Sequence, residues 1–525
     1  MAPPRSRRLL TALAASVTAM ALVAGCGGSD VQDAAVGAGD TTAAQTDTAG
    51  ATTSDSGTGT DAAAPGAHAP AAVDAAVPGA RNAPAGGAVG GADAATKGGP
   101  RKGGDKAAAV GGANAAAGAS GSAVEQLVAT APIFGGKAAC RPATLSPVTI
   151  GNVSTLSGVL GELFAPLVPA LGIFVASQNA CGGLNGHKIT LALADDQGDP
   201  STASTKVQEL IQSKKVLTFV GNQEPLTVDA IVPIIKKYGI PVIGSDLTNN
   251  TWFTNPLMFP QGSSGQGVGY GYLEGALNYF KKKNVGNLWC IEVPRACEQI
   301  NRSMKELAPQ VGATFKKDIQ VSITAPSYVQ QCLDLKGAGV EALALTFDAA
   351  TMVRVARSCT QVGYFPKIMP YPLGLGNEKQ FLQGNKWLGD AYVTMNAFPW
   401  FANATPFEQY WQASVKKFNP GFDTGGAASI AWSSAALLVA AAAELSPTNP
   451  STQDLLKVLW QFKGQKFTEL GGMTAPLTFQ EGGAPKVPYC LFAGIVNAAD
   501  NGWAKSIDKP TCTKILAPSD PQNQA

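Results

Sequence analysis

Histidine is the residue this chain nearly lacks: two occur in 525 residues, His68 and His187. His68 falls in an Ala/Gly-rich stretch and His187 in a turn leading into a strand, so neither is expected near a cleft. A Ser-His-Asp or Cys-His catalytic arrangement and a His-rich metal site are therefore not expected. No CxxC pair is present, which removes the usual zinc-site spacing. Charge of either sign is also scarce in excess. The formal net charge is +2, and no basic stripe interleaved with aromatics marks a nucleic-acid partner. No P-loop or GxGxxG precedes a helix. The Gly262–Gly267 run is glycine-rich but reads as a flexible crossover. Asp195 and Asp196 are adjacent, so on a strand end their side chains point apart, poor geometry for a general acid–base pair. No enzyme, cofactor or metal is expected.

Aromatic residues are missing altogether from Gly27 to Ser122, where Ala, Gly, Thr, Ser, Asp and Pro dominate. Such a stretch cannot bury enough apolar surface to offset its ordering entropy and is expected to be a disordered tether. As a coil of about 95 residues its root-mean-square span is about 50–60 Å. Ahead of it, Arg5, Arg7 and Arg8 precede an apolar run from Leu9 to Ala24, the layout of an export signal. Val23-Ala24-Gly25-Cys26 resembles a bacterial lipobox, which implies acylation of Cys26 and anchoring to the cell membrane outside the cytoplasm. The expected partition is a signal peptide over 1–25, a tether over 26–135 and a folded domain over 140–515.

From Pro147 onward near-continuous apolar runs alternate with helix-length stretches. Val148–Val153, Ile189–Ala194, Val216–Val220 and Pro241–Ile243 each end in a polar or small cluster. Gly286–Ile291 and Val340–Phe347 continue the pattern, with helices expected over 328–335 and 352–361. This is how buried parallel strands joined by crossover helices read. Ligands in such sheets bind beyond the carboxyl ends of the strands. The folded part exceeds one ordinary core, so two lobes are expected.

Ser157-Gly158, Cys181–Gly186, Asp195-Asp196 with Asp199-Pro200, Tyr238–Pro241 and Ala475–Gly483 come in an order that resembles the type I periplasmic binding proteins, in particular the branched-chain amino-acid receptors of ABC transporters. The resemblance covers 147–500. It implies an α/β fold of two Rossmann-like lobes joined by a three-segment hinge. Crossings are expected near 261–267, 394–398 and 475–479, giving one lobe of 147–264 and 395–475 and another of 265–394 and 476–515. The apolar stretch 427–446 is then a core helix of the first lobe and not a membrane span. The implied function is capture of a small solute by a monomeric, extracytoplasmic, lipid-anchored protein, for an ABC permease and ATPase encoded as separate chains. The alternative is a ligand sensor of the same fold without a transporter.

Beyond Cys26, eight cysteines in an exported chain read as disulfides. Cys140 precedes the first strand and Cys181 follows the first helix, at one end of a lobe. Cys332 and Cys359 fall on consecutive helices flanking one strand, and Cys490 and Cys512 face across a hairpin. Cys290 with Cys297 remains, a local bridge after a strand.

In the amino-acid receptors a Ser or Thr after the third strand and a Thr after the fourth hold the ligand carboxylate, and a Tyr and a Glu from the second lobe complete the site. Here Thr248 matches. Pro225 replaces the first hydroxyl, Tyr371-Pro372-Leu373 covers the Glu position, and Phe347-Asp348 the Tyr position. The hydrogen-bonding set expected is Ser154, Ser157, Gln223, Ser245 and Thr248. Asp246 or Asp348 is the negative partner for an amine, and Phe347, Tyr371 and Trp400 supply rings. An amino-acid-like, amide or aromatic-compatible solute is expected.

Overall fold

The computed structural model describes residues 142–375, 381, 386–465, 476–497 and 502–523. The signal, the tether, Cys26 and Cys140 lie outside them.

The first sheet collects β1 (Leu145–Ser154), β2 (His187–Asp195), β3 (Thr218–Asn222), β4 (Val242–Ser245) and β5 (Met258–Phe259) in the order β2-β1-β3-β4-β5, all parallel. Its crossovers are α1 (Gly161–Phe164) with α2 (Leu167–Asn179), α3 (Pro200–Gln212) and α4 (Val228–Tyr238). Local chemistry sets these boundaries. Asp199 caps α3 by accepting from the Thr202 N–H at 2.7 Å, with Pro200 at the first helical position. Gly239 ends α4 in the left-handed region, φ 65°.

The chain then leaves through α5 (Gly265–Glu274) and builds a second parallel sheet from β6 (Asn284–Cys290), α6 (Pro294–Val311), β7 (Thr314–Val321), α7 (Val329–Gly337), β8 (Ala342–Thr346), α8 (Ala349–Gln361) and β9 (Lys367–Pro370), in the order β7-β6-β8-β9. Each sheet places its second strand outside its first, so the two repeat one topology. After β10 (Tyr392–Met395) come α9 (Pro406–Phe418), α10 (Gly426–Ala441) and α11 (Thr452–Leu459), then the short pair β11 (Lys463–Gln465) and β12 (Leu477–Thr478). Finally β13 (Tyr489–Asn497) joins β10 and β14 (Gly502–Thr513) in an antiparallel sheet.

Three passages link the two parallel sheets, and they touch. The Asn396 side-chain amide donates to the Ser263 carbonyl at 3.2 Å. The Ser263 hydroxyl lies 3.0 and 2.9 Å from the Pro488 and Cys490 carbonyls and accepts from the Cys490 N–H at 2.8 Å. Gly262 permits this closeness, because a Cβ there would fall 2.2 Å from the Asn396 carbonyl oxygen. Two details differ from the sequence expectation. Gly265–Gly267 is not loop but the first turn of α5, capped by Ser264. Phe479 still packs on Phe259 of the first sheet, ring centroids 5.1 Å apart, so the last passage follows it.

The run over Gly426–Glu444 has a mean hydropathy of 1.6 and is 89% buried. It is a core helix, lying against α2, β3 and β4. Trp432 on it meets Phe174 of α2 edge to face, centroids 6.1 Å apart. Cys332–Cys359 joins α7 to α8, Cys490–Cys512 joins opposed positions on β13 and β14, and Cys290–Cys297 ties the end of β6 to the first turn of α6. Cys181 is also disulfide-bonded.

The approach of α10 to β4 gives a direct test. Gly244 has φ +77°, and an added Cβ would lie 2.1 Å from Cβ and Oγ of Ser434. Left-handed backbone costs an L residue about 1–2 kcal/mol, and overpacking adds about 1–3 kcal/mol. Gly244→Ala is expected to lower unfolding free energy by about 2–5 kcal/mol in urea titration.

Candidate functional site

Both parallel sheets point their carboxyl edges at one cavity of about 560 Å³. From the first sheet come Gly158–Leu160 and Glu162, Leu163 and Phe164 after β1, Pro225 after β3 and Thr248 after β4. From the second come Cys290, Glu292 and Val293 after β6, Ile323–Pro326 after β7, Thr346–Asp348 at the end of β8, and Tyr371 and Leu373 after β9, with Ile300 of α6 and Arg354 of α8 behind them. The wall is mostly apolar with a few polar groups, the usual make-up of a small-molecule site. An ion pair between Asp229 on α4 and Arg295 on α6 spans the two halves. Both side chains are about half exposed, so it contributes little stability.

Of the residues proposed from sequence, Thr248, Phe347, Asp348 and Tyr371 line this cavity. Asp348 also caps α8, accepting from the Thr351 N–H at 2.9 Å and its hydroxyl at 2.5 Å. The Tyr371 hydroxyl is enclosed and has no protein partner. Burial and then the nearby Asp246 charge push its phenol above the usual range. Pro225, Phe347, Asp348 and Tyr371, where departures from the amino-acid receptors are expected, all fall on the wall.

The other six residues are placed elsewhere. Ser154 is buried at the end of β1, donating to Asn152 Oδ1 and accepting from the Gln223 N–H. Gln223 donates to the Ala427 carbonyl at 2.9 Å and so fastens β3 to α10. Ser245 accepts from the Leu247 N–H at 3.1 Å. Ser157 bonds Asp195; burial of that carboxyl is outweighed by this hydroxyl and the Gln197 and Leu156 amides, and its pKa falls. Trp400 is not on the cavity. Its ring is sealed against Phe401 and Trp503, because β14 brings Trp503 to that loop. Asp246, offered as an amine partner, is enclosed behind the wall. It accepts from the Thr248 N–H and hydroxyl, both at 2.8 Å, from Trp252 Nε1 at 3.1 Å and from the Glu224 N–H at 3.1 Å.

Asp195 and Asp196 hold loops. Asp196 accepts from the Gly198 N–H and the Thr227 hydroxyl, yet burial dominates and raises its pKa. His187 starts β2 and bonds the Ser146 and Ser446 carbonyls, away from the cavity. No His/Cys/Asp/Glu cluster able to hold a metal occurs among the described residues.

The sequence of the family described as periplasmic binding protein matches residues 147–493. The chain belongs to that family. Its members are extracytoplasmic solute-binding proteins that work with ABC transporters, a substrate-binding class. No curated protein matches the chain in sequence. Among solved structures it is similar to a fatty acid ABC transporter substrate-binding protein from Thermomonospora curvata, with TM-score 0.60 and 15% identity over 72% of this chain and 97% of that one. LivJ of Streptococcus pneumoniae, solved with isoleucine, gives 0.56 and 15% over 70% and 100%. An ABC-transporter solute-binding protein of R. palustris, solved with benzoate, gives 0.56 and 15% over 71% and 99%. At such identities the likeness is one of fold.

Buried acids behind the Thr248 wall set a pH dependence. Burial raises Asp246 from 3.8 to about 6 against the pull of its hydrogen bonds, and burial raises Glu224 beside it well above its ordinary value. A raised carboxyl binds its proton more tightly folded than unfolded, so stability falls as pH rises through about 4–6. The decline due to Asp246 is expected to be on the order of 1–3 kcal/mol. Asp246→Asn is expected to flatten this slope in urea titrations across that range.

Proposed function

We propose that the protein captures a small, largely apolar solute outside the cytoplasm and hands it to an ABC importer. The observation that carries this reading is the cavity between the carboxyl edges of two parallel sheets, with both lobes supplying its wall. A ligand that touches both walls stabilises the closed arrangement by its differential affinity for it. The passages at Gly262, Asn396 and Pro488 are where such a motion bends. The structural neighbours include proteins solved with isoleucine and with benzoate and one named for fatty acids, so this fold accommodates apolar bodies with different polar ends.

A thermal-shift screen against a metabolite library tests the reading. Apolar solutes are expected to raise the melting temperature, and a ligand found this way is expected to compact the protein in small-angle scattering. Silence across a broad library would count against solute capture.

Branched-chain amino acids are expected to bind poorly. Pro225 and the Tyr371–Leu373 segment remove a hydroxyl and a carboxylate, and each charge-directed hydrogen bond is worth roughly 1.5–3 kcal/mol. Calorimetry with leucine, isoleucine and valine is expected to show affinities roughly two to four orders of magnitude below a submicromolar receptor.

We also propose that Cys26 carries the membrane anchor, on the strength of Val23-Ala24-Gly25-Cys26 behind a basic and apolar leader. Cys26→Ala is expected to move the protein from the membrane fraction to the medium. Retention of the variant in the membrane would overturn the assignment.

A further inference from the structure

Among the described residues, Asp229 with Arg295 is the one ion pair that joins the two halves of the molecule. Each end of it is built into a segment of the cavity wall. Asp229 lies in the opening turn of α4, and its Oδ1 accepts from the Thr251 hydroxyl at 2.5 Å. Thr251 belongs to the loop that begins at Thr248, on the wall, and its N–H donates to Asn249 Oδ1 at 3.0 Å. Arg295 lies in the turn closed by the Cys290–Cys297 bridge, where Glu292, Val293, Ala296 and Cys297 line the same cavity. The pair therefore ties together two wall segments that are each held locally.

The position of Arg295 is not explained by its own helix. The first turn of α6 carries no acid, so a cation there faces the positive end of the helix dipole and works against it. Glu298, further along α6, is taken by Arg302. What Arg295 gains lies across the cleft, where Asp229 in turn occupies a helix start that favours an acid. We infer that Asp229 and Arg295 form a latch that positions the two walls around a captured solute, an assignment that rests on the solute-capture reading and deepens it. Neither residue lines the cavity, so both are positioning residues that act through the Thr248 loop and the bridged turn. A half-exposed pair adds little to a fold held by a whole core, but an equilibrium between open and closed arrangements is far more finely balanced. An interaction of this class shifts the closed share by about 1.5- to 5-fold. Salt screens it, because both charges face solvent.

Closure can be read without a ligand, on the full-length Cys26→Ala chain, by pulsed electron paramagnetic resonance between two spin labels. Ser201→Cys, after β2, and Ser327→Cys, after β7, place the labels on exposed positions of opposite halves. Arg295→Glu is expected to lower the ratio of short to long distances about 1.5- to 5-fold. Asp229→Arg combined with Arg295→Glu is expected to restore it. Raising salt from about 0.05 M to about 1 M is expected to lower the ratio in the labelled chain but not in its Arg295→Gln variant. The melting temperature of Arg295→Gln is expected to equal or exceed that of the unsubstituted chain, since α6 loses an opposed charge. A residue that merely held the fold would lower it. If the charge-reversed variants do not fold, the salt series decides. Distances indifferent to salt and to Arg295→Glu would overturn the latch. So would a loss of closure that the charge exchange does not recover, or one that comes with a lower melting temperature. A bound library solute with no such distance response refutes the latch alone. A silent library with the distance response intact refutes solute capture and leaves the latch standing.

Discussion

The contact on which the molecule depends is small: the Ser263 hydroxyl and carbonyl hold the other two passages of the chain, at Pro488–Cys490 and at Asn396. These passages set one carboxyl edge against the other. The backbone of Gly262 runs so close to the Asn396 carbonyl that a side chain could not be fitted without moving it. The site is therefore a property of the hinge as much as of either lobe. The glycine that permits close approach also gives the passage its rotational freedom.

The two walls differ in their physics. The first-sheet wall is backed by buried acids, Asp246 and Glu224, held in a network with Trp252 and Thr248. Burial opposes their ionisation, and the hydrogen bonds from Thr248 and Trp252 offset part of that cost for Asp246. Enclosed polar atoms without a protein partner occur on both sides, Glu224 Oε2 behind the first wall and the Tyr371 hydroxyl, Glu292 Oε2 and Arg354 Nε on the second. The Cys290–Cys297 bridge lines the cavity and ties down the turn that presents Glu292 and Val293.

Much of the fold was legible in the chain because its signals are local. Apolar runs such as Val148–Val153 became strands close to where they were expected, and Asp199-Pro200 and Gly239 mark helix ends by chemistry confined to a few residues. Strand ends also pointed to the wall: Thr248, Phe347, Asp348 and Tyr371 each follow or close a strand. Trp400 misled because a ring in a loop after a strand looks available until a distant strand covers it. Ser154, Gln223, Ser245 and Asp246 misled because a polar residue at a strand end serves equally well to fasten neighbouring segments. Arg354 and Glu292 were missed since charged residues on an amphipathic helix and in a turn read as solvated surface.

Sequence by itself determined the alternation of strand and helix, the parallel character of the sheets, the local and hairpin disulfides, and the want of histidine chemistry. All of these follow from residue type and spacing over short stretches. Tertiary structure decided which strand-end residues face the cavity and which are turned inward as fasteners. Those choices depend on how two lobes meet across three passages far apart in the chain, and no short-range pattern encodes that distance.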